Sequence, residues 1–221
     1  MAKMKSDLAS ELHGKVGDKL YRTLATGKIV VTPSPKEPTF VDEKVKEDRD
    51  TRVKGYGGSR HFAAVVNDAI KLGFPPEKRG EQPMWKFMKH NAKTLCKSKR
   101  NEEGELVRVY DFKKMVVAAG NLLRANVTVA FDEATGIFTF TQEADPRGGS
   151  RANPDDKVYA LIVDGTNEDA EFILLRDRSE NGVTTFVIPE WWDKENLFVY
   201  VFAGTRTKKK ASPSLCLYPA E

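Results

Sequence analysis

The sequence predicts an α+β fold that is mainly β, and three observations carry that prediction. From residue 126 onward, apolar and polar residues alternate with a period of two, interrupted at short intervals by turn residues. Before that, two stretches repeat apolar residues at helical spacing, one behind Gly58 and one behind Pro83. Near the start, a β-prone pair of segments flanks Thr26-Gly27 and runs into a stretch containing Pro33, Pro35 and Pro38.

In chain order, Tyr21, Thr23 and Ile29-Val30-Val31-Thr32 favour strand and Thr26-Gly27 favours a turn, so residues 15–35 read as a hairpin. The prolines that follow hold the chain extended, because each fixes its own φ and disfavours helix in the residue before it. Residues 41–54 are almost wholly charged. Val41, Val45 and Val53 cannot hold a core alone, so the segment reads as an exposed helix or an arm. Gly55, Gly57 and Gly58 read as a hinge, and Ser59 as the cap of a helix whose Phe62, Val65, Val66, Ala69, Ile70 and Leu72 recur at helical spacing. Pro83 suits a first helical position. Behind it Trp85, Met88, Ala92 and Leu95 form one stripe, with Lys86, Lys89, Lys93 and Lys97 on other faces. Residues 98–104 are a polar break, and 106–109 and 115–117 are strand candidates.

Strands are then expected at 126–131, 136–142, 157–164, 170–175, 183–188, 196–203 and 213–218, separated by turn signals such as Asp164-Gly165 and Asn181-Gly182. Seven short strands at this spacing are the pattern of an immunoglobulin-like or fibronectin-type-III-like β-sandwich. Phe138, Phe140, Tyr159, Leu161, Val163, Phe186, Ile188, Phe198, Tyr200 and Phe202 are its expected core. The chain thus divides into a hairpin and charged arm (1–54), a helical segment with connecting strands (55–120) and the sandwich (121–221).

Composition excludes several classes. With 40% hydrophobic and 31% charged residues over 221 positions, the chain is neither collagen-like nor wholly disordered. No apolar run approaches the roughly 20 residues of a membrane helix. Lys3 and Lys5 lack an apolar stretch behind them, so the start does not read as a secretory signal and synthesis in the cytoplasm is expected. Cys96 and Cys216 lie far apart, which fits neither a disulfide framework nor a zinc site. Charge is uneven: residues 1–124 hold 26 basic and 16 acidic side chains, and residues 125–221 hold 10 and 16. The basic part suits a polyanion, and opposite signs in one chain suit head-to-tail contact between copies.

A search for chemistry finds no GxSxG and no HExxH, and His13, His61 and His90 stand in separate contexts. Gly55-Tyr56-Gly57-Gly58 lacks the lysine and preceding strand of a phosphate loop. No catalytic residue, cofactor site or metal site is expected. Candidate phosphate contacts are Lys86, Lys89, Lys93 and Lys97 on the second helix and Lys208, Lys209 and Lys210 at a hairpin tip. Trp191 and Trp192 are adjacent and cannot both face one core, so one packs inside and the other is free to anchor a contact. They join Tyr21, Ile29, Val31, Pro33 and Pro35 as candidate assembly contacts.

Several of these motifs together resemble a known pattern. The MAKMKS start, Gly14-Lys15-Val16-Gly17, Gly27-Lys28-Ile29-Val30-Val31 and the proline arm are similar to the opening of a family of bacterial and phage-associated proteins described only as a domain of unknown function. Val109-Tyr110-Asp111-Phe112-Lys113-Lys114-Met115-Val116-Val117, Phe138-Thr139-Phe140, Ala152-Asn153-Pro154-Asp155-Asp156-Lys157-Val158 and Ile188-Pro189-Glu190-Trp191-Trp192 extend the likeness over nearly the whole chain. The sequence departs from the pattern at Thr32, at Pro38-Thr39-Phe40-Val41 and at Gln142. The resemblance implies an N-terminal hairpin, arm and helices followed by a fibronectin-like sandwich, and it carries no catalytic residues. A proline-rich arm with little core of its own gains most by lying on a neighbour. The expected function is therefore a non-enzymatic structural or assembly protein, a component of a phage virion or phage-derived particle that docks through its N-terminal arm onto itself or onto other assembly proteins. The alternatives are a cytoplasmic nucleic-acid-binding module using the basic helical half, and a glycan- or protein-binding sandwich using Trp191-Trp192. No membrane partner is expected.

Overall fold

The computed structural model describes residues 2–4, 14–24, 26–34, 43–145 and 147–219. Pro35, Pro38 and His13 lie outside the described residues. Contacts divide the chain into two compact units, Met1–Lys46 and Glu47–Glu221. The divisions expected at 54/55 and at 120/121 do not appear.

The first unit is built on β1 (Ala2–Met4), β2 (Gly14–Val16), β3 (Lys19–Thr23) and β4 (Ile29–Pro33), antiparallel in the order β1-β4-β3-β2. The expected hairpin is β3–β4, and it gains a neighbour on each side. Gly17 turns the chain between β2 and β3 at φ 59°, a backbone conformation that side chains with a Cβ rarely adopt. The register sets Val16 opposite Lys19, Tyr21 opposite Val31, Thr23 opposite Ile29 and Lys19 opposite Pro33. Directly opposed residues share a face, and faces alternate along each strand. Val16, Tyr21, Ile29, Val31 and Pro33 therefore all lie on one side of this sheet.

Helix α1 spans Glu43–Val65 and runs straight through the three glycines read as a hinge. For Gly55 and Gly58 the reason is close approach. A Cβ on Gly55 would sit 2.9 Å from the Cys96 carbonyl oxygen, and one on Gly58 would sit 2.4 Å from Cys96 Sγ. The glycines let a strand lie against the helix, and that benefit outweighs their poor helix propensity. Only the far part of α1 carries the apolar face expected at 59–72, and α2 (Asn67–Gly73) completes it. Helix α3 (Pro83–Asn91) opens on Pro83 as expected. A hairpin follows, β5 (Cys96–Arg100) with β6 (Leu106–Tyr110), and then a 3-10 turn at Phe112–Lys114. Residues 115–117, a strand candidate, lie outside any strand; they are extended chain tied at Val117 N–H to Ser214 Oγ (3.0 Å).

The remaining strands are β7 (Asn126–Asp132), β8 (Ile137–Glu143), β9 (Lys157–Asp164), β10 (Asp169–Asp177), β11 (Gly182–Val187), β12 (Leu197–Gly204) and β13 (Leu215–Tyr218). Their ends fall within about two residues of the spans read from alternation, near the usual limit for element boundaries. They form a three-stranded sheet, β11-β8-β7, and a four-stranded sheet, β10-β9-β12-β13. The chain is thus α+β and mainly β.

Two apolar clusters hold the second unit together. Between the sheets, Phe138 and Phe140 of β8 meet Val158, Ala160 and Ile162 of β9 and Val199 and Val201 of β12, with Trp192. On the opposite face of the four-stranded sheet, Tyr159, Leu161, Val163, Tyr200 and Phe202 meet Phe62, Ile70, Phe74, Phe87 and Phe112. This corrects the expected core: those five residues face the helices, and the residues that alternate with them face the other sheet. Strands β9 and β12 are covered on both faces, so they read as nearly continuous apolar runs. Because helices and sheet share one cluster, residue 120 is no boundary. Gly120 marks a close approach instead, since a Cβ there would lie 2.2 Å from the Ala211 carbonyl oxygen.

Candidate functional site

The structure separates the expected contact residues into three places. In the first unit, Ile29 is buried, Tyr21 and Val31 are half-buried, and Pro33 is exposed on the same face. Val16, 66% exposed, extends that face toward the β2 edge. Among the described residues of strands β2 to β4, Ile29 is the one buried side chain.

The two tryptophans divide as adjacency requires. Trp192 is 4% exposed, and its Nε1 donates to Asp169 Oδ2 at 3.0 Å, so it belongs to the core and not to a contact surface. Trp191 is 70% exposed. Its carbonyl accepts from Asn167 Nδ2 (3.0 Å), and Asn167 also donates to the buried Asp164 (2.6 Å). The loop backbone under Trp191 is thereby held while the indole stays in solvent.

The lysines also separate. Lys86 is committed inside the fold: Nζ donates to the Pro75 carbonyl (2.8 Å) and lies 3.0 Å from Glu77 and 3.3 Å from Glu81. Burial works against its charge, but the hydrogen bonds to both carboxylates more than offset this and raise its pKa. Lys86 is therefore no phosphate contact. Lys208, Lys209 and Lys210 are exposed at a hairpin tip, where Thr205 Oγ1 accepts from the backbone N–H groups of Lys209 and Lys210 (3.1 Å each). Lys89 is exposed on α3, and Lys93 and Lys97 come together elsewhere.

That place is an open groove of about 750 Å³ in the second unit, between α1, the end of α3 and β5. Arg49 and Arg52 stand on the α1 wall, Lys93 and Lys97 on the other, and Val53 and Tyr56 line it between them. Among the described residues, no acidic side chain lines it. Arg52 is braced by donating Nε to the Asp48 carbonyl (3.1 Å). Ser98 Oγ donates to the Thr51 carbonyl (2.7 Å) and closes one end of the β5–α1 contact. Sequence reading missed the arginine wall because residues 41–54 carry acids and bases in nearly equal number. Only the helical register separates Arg49 and Arg52 onto one face, with Val53 and Tyr56 beside them.

Cys96 forms part of the groove wall. It is 3% exposed, and burial pushes its thiol pKa up, so it is a poor nucleophile. Nearby, Tyr110 Oη donates to Glu168 Oε2 (2.9 Å), which also lies 3.6 Å from His61 Nε2. Burial and that hydrogen bond raise the Tyr110 pKa. Glu168 sits at φ 52° in the β9–β10 turn and clasps that turn to α1 and β6. His90 packs on the Phe74 ring (5.6 Å) and does not join His61. Among the described residues, no group of three His, Cys, Asp or Glu side chains is placed to hold a metal ion. No helix among them is long and apolar enough to cross a membrane.

No protein-family model, curated protein or solved structure matches this chain.

Proposed function

We propose that the protein is a non-enzymatic assembly protein whose N-terminal sheet is completed by another copy of the chain. One observation carries this. The β1–β4 sheet gathers Val16, Tyr21, Ile29, Val31 and Pro33 on one face, where Val16 is 66% exposed, Pro33 is exposed and Tyr21 and Val31 are only half-buried. A sheet with one apolar face gains stability from a second layer. Charge favours a like chain as the source of that layer. Residues 1–46 hold nine basic and six acidic side chains, whereas residues 125–221 hold 10 basic and 16 acidic. Opposite signs at the two ends favour head-to-tail contact, which builds rings or filaments.

The second unit reads as an immunoglobulin- or fibronectin-type-III-like sandwich with a helical layer added on one side. The interleaved connections support this: β7–β8 lie in one sheet, β9–β10 in the other, β11 returns beside β8, β12 returns beside β9, and β13 pairs on the far side of β12. The motif likeness to phage-associated proteins points the same way, toward a component of a multi-copy particle.

The test is to place charge on the sheet face. Tyr21→Glu with Val31→Glu lowers the solution mass of an assembling chain toward 24.8 kDa while the unfolding of the second unit is unchanged. A chain whose mass does not respond to the double substitution is not assembled through this face.

A further inference from the structure

The groove between α1, α3 and β5 carries a separate inference. We propose that it is a binding site for single-stranded nucleic acid. A strand lying in it would have Arg49 and Arg52 on one side and Lys93 and Lys97 on the other, with no carboxylate among the described lining residues to oppose its phosphates. Between the cationic walls lie Val53 and Tyr56, and Tyr56 is 50% exposed. Cationic walls with an aromatic ring between them suit a chain of phosphates bearing flat bases, because phosphates take the cations and a base stacks on the ring. An acidic peptide would use the cations but gain little from the ring.

The site continues beyond the groove. Lys89 precedes Lys93 by four residues and Trp85 precedes Lys89 by four, so the three fall along one side of α3 and the turn that extends it. Trp85 is 63% exposed and offers a second stacking surface. Neither Lys93 nor Lys97 forms an ion pair among the described residues, whereas Lys86 on α3 is held by Glu77 and Glu81. The walls are held by contacts that leave the groove open: Gly55 and Gly58 let β5 seat against α1, and Glu47 binds Arg100 (2.7 Å) at the far end of that contact.

The experiment measures binding of full-length protein to a fluorescein-labelled 15-mer of thymidine by anisotropy at several salt concentrations. Counting Arg52, Lys93 and Lys97, log K falls against log salt with a slope of about −2, since each neutralised phosphate contributes about −0.7 for single strands. Lys93→Ala with Lys97→Ala brings the slope to about −0.7 and weakens binding about tenfold at low salt. Tyr56→Ala weakens binding at least about fivefold with the slope unchanged, because stacking releases no counterion. Lys209→Gln with Lys210→Gln, at the remote hairpin tip, leaves both quantities as they were. All these side chains are exposed, and thermal melting of each variant checks that the fold is kept. Three outcomes overturn the proposal: no binding at low salt, equal loss from the hairpin-tip and groove variants, or binding insensitive to Tyr56→Ala that polyglutamate competes away.

Discussion

Arg178 is 1% exposed, and replacing it with methionine tests the account of the second unit most sharply. The Arg178 guanidinium donates from Nε to Asp156 (3.3 Å), from Nη1 to Asp145 (3.0 Å) and the Arg124 carbonyl (3.2 Å), and from Nη2 to the Leu123 carbonyl (2.6 Å). Methionine keeps much of the apolar stem and removes every donor. The two carboxylates then fare differently. Asp145 keeps Arg147, which donates to it from Nε (2.6 Å) and Nη2 (2.7 Å). Among the described residues Asp156 has no other cation and its Oδ1 has no partner at the outset, while Oδ2 keeps the Asn153 N–H (3.0 Å). Leaving a buried charge uncompensated costs about 3–5 kcal/mol. At a urea dependence near the upper part of the usual range, about 2–3 kcal/mol per molar, the midpoint falls by about 1–2 M. Chemical unfolding followed by tryptophan fluorescence reads this, because all three tryptophans lie in the second unit. Adding Asp156→Asn to Arg178→Met returns about 1–3 kcal/mol by removing the orphaned charge. Adding Asp145→Asn returns nothing, since Arg147 already neutralises Asp145. A midpoint shift below about 0.3 M, or rescue by the Asp145 change in place of the Asp156 change, would refute the reasoning.

Two further outcomes follow from the same structure. The Asp145 carboxyl is held down to about 2, chiefly by the Arg147 side chain and also by the Arg147 N–H and Arg178, against the opposing effect of burial. Its folded pKa lies below its unfolded value, so the stability it contributes is complete above about pH 4 and is lost as pH falls toward 2. That amounts to about 2 kcal/mol at about 1.4 kcal/mol per pH unit, and thermal melts between pH 5 and 2 show a shallower decline in Asp145→Asn. On α1, Gly57→Ala raises stability by about 1 kcal/mol because its Cβ meets nothing within 4 Å. Gly55→Ala lowers stability by about 1–3 kcal/mol, because its Cβ would press on the Cys96 carbonyl. Urea unfolding of the two variants gives opposite signs.

The strands from β7 onward were legible because alternation and turn residues are local signals. Pro83 likewise announced the start of α3. What escaped was set by tertiary contact. The glycines at 55–58 read as a hinge because glycine disfavours helix, and only the approach of β5 explains Gly55 and Gly58 inside α1. Cys96–Arg100 has no apolar alternation; it is a strand because it pairs with Leu106–Tyr110 and lies against those glycines. Tyr159 and Phe202 were expected between the sheets. A strand covered on both faces, however, gives no alternation from which to choose a side. At the candidate sites, β propensity points to Tyr21, Ile29 and Val31 and the proline arm to Pro33, and the register sets all four on one face. The lysine stripe was visible, but the helical register alone could not reveal that Lys86 is held by Glu77 and Glu81, or that Lys93 and Lys97 face two arginines from a segment far earlier in the chain.

The most direct test of assembly through the N-terminal sheet is the solution mass of the full chain beside residues 47–221, measured by light scattering at low and high salt. Both apolar clusters lie within 47–221, so that piece retains its core. The account predicts a salt-sensitive oligomer for the full chain and a monomer for the shorter one. A full chain that is monomeric at both salt concentrations, or a shorter chain that assembles as the full one does, would contradict it.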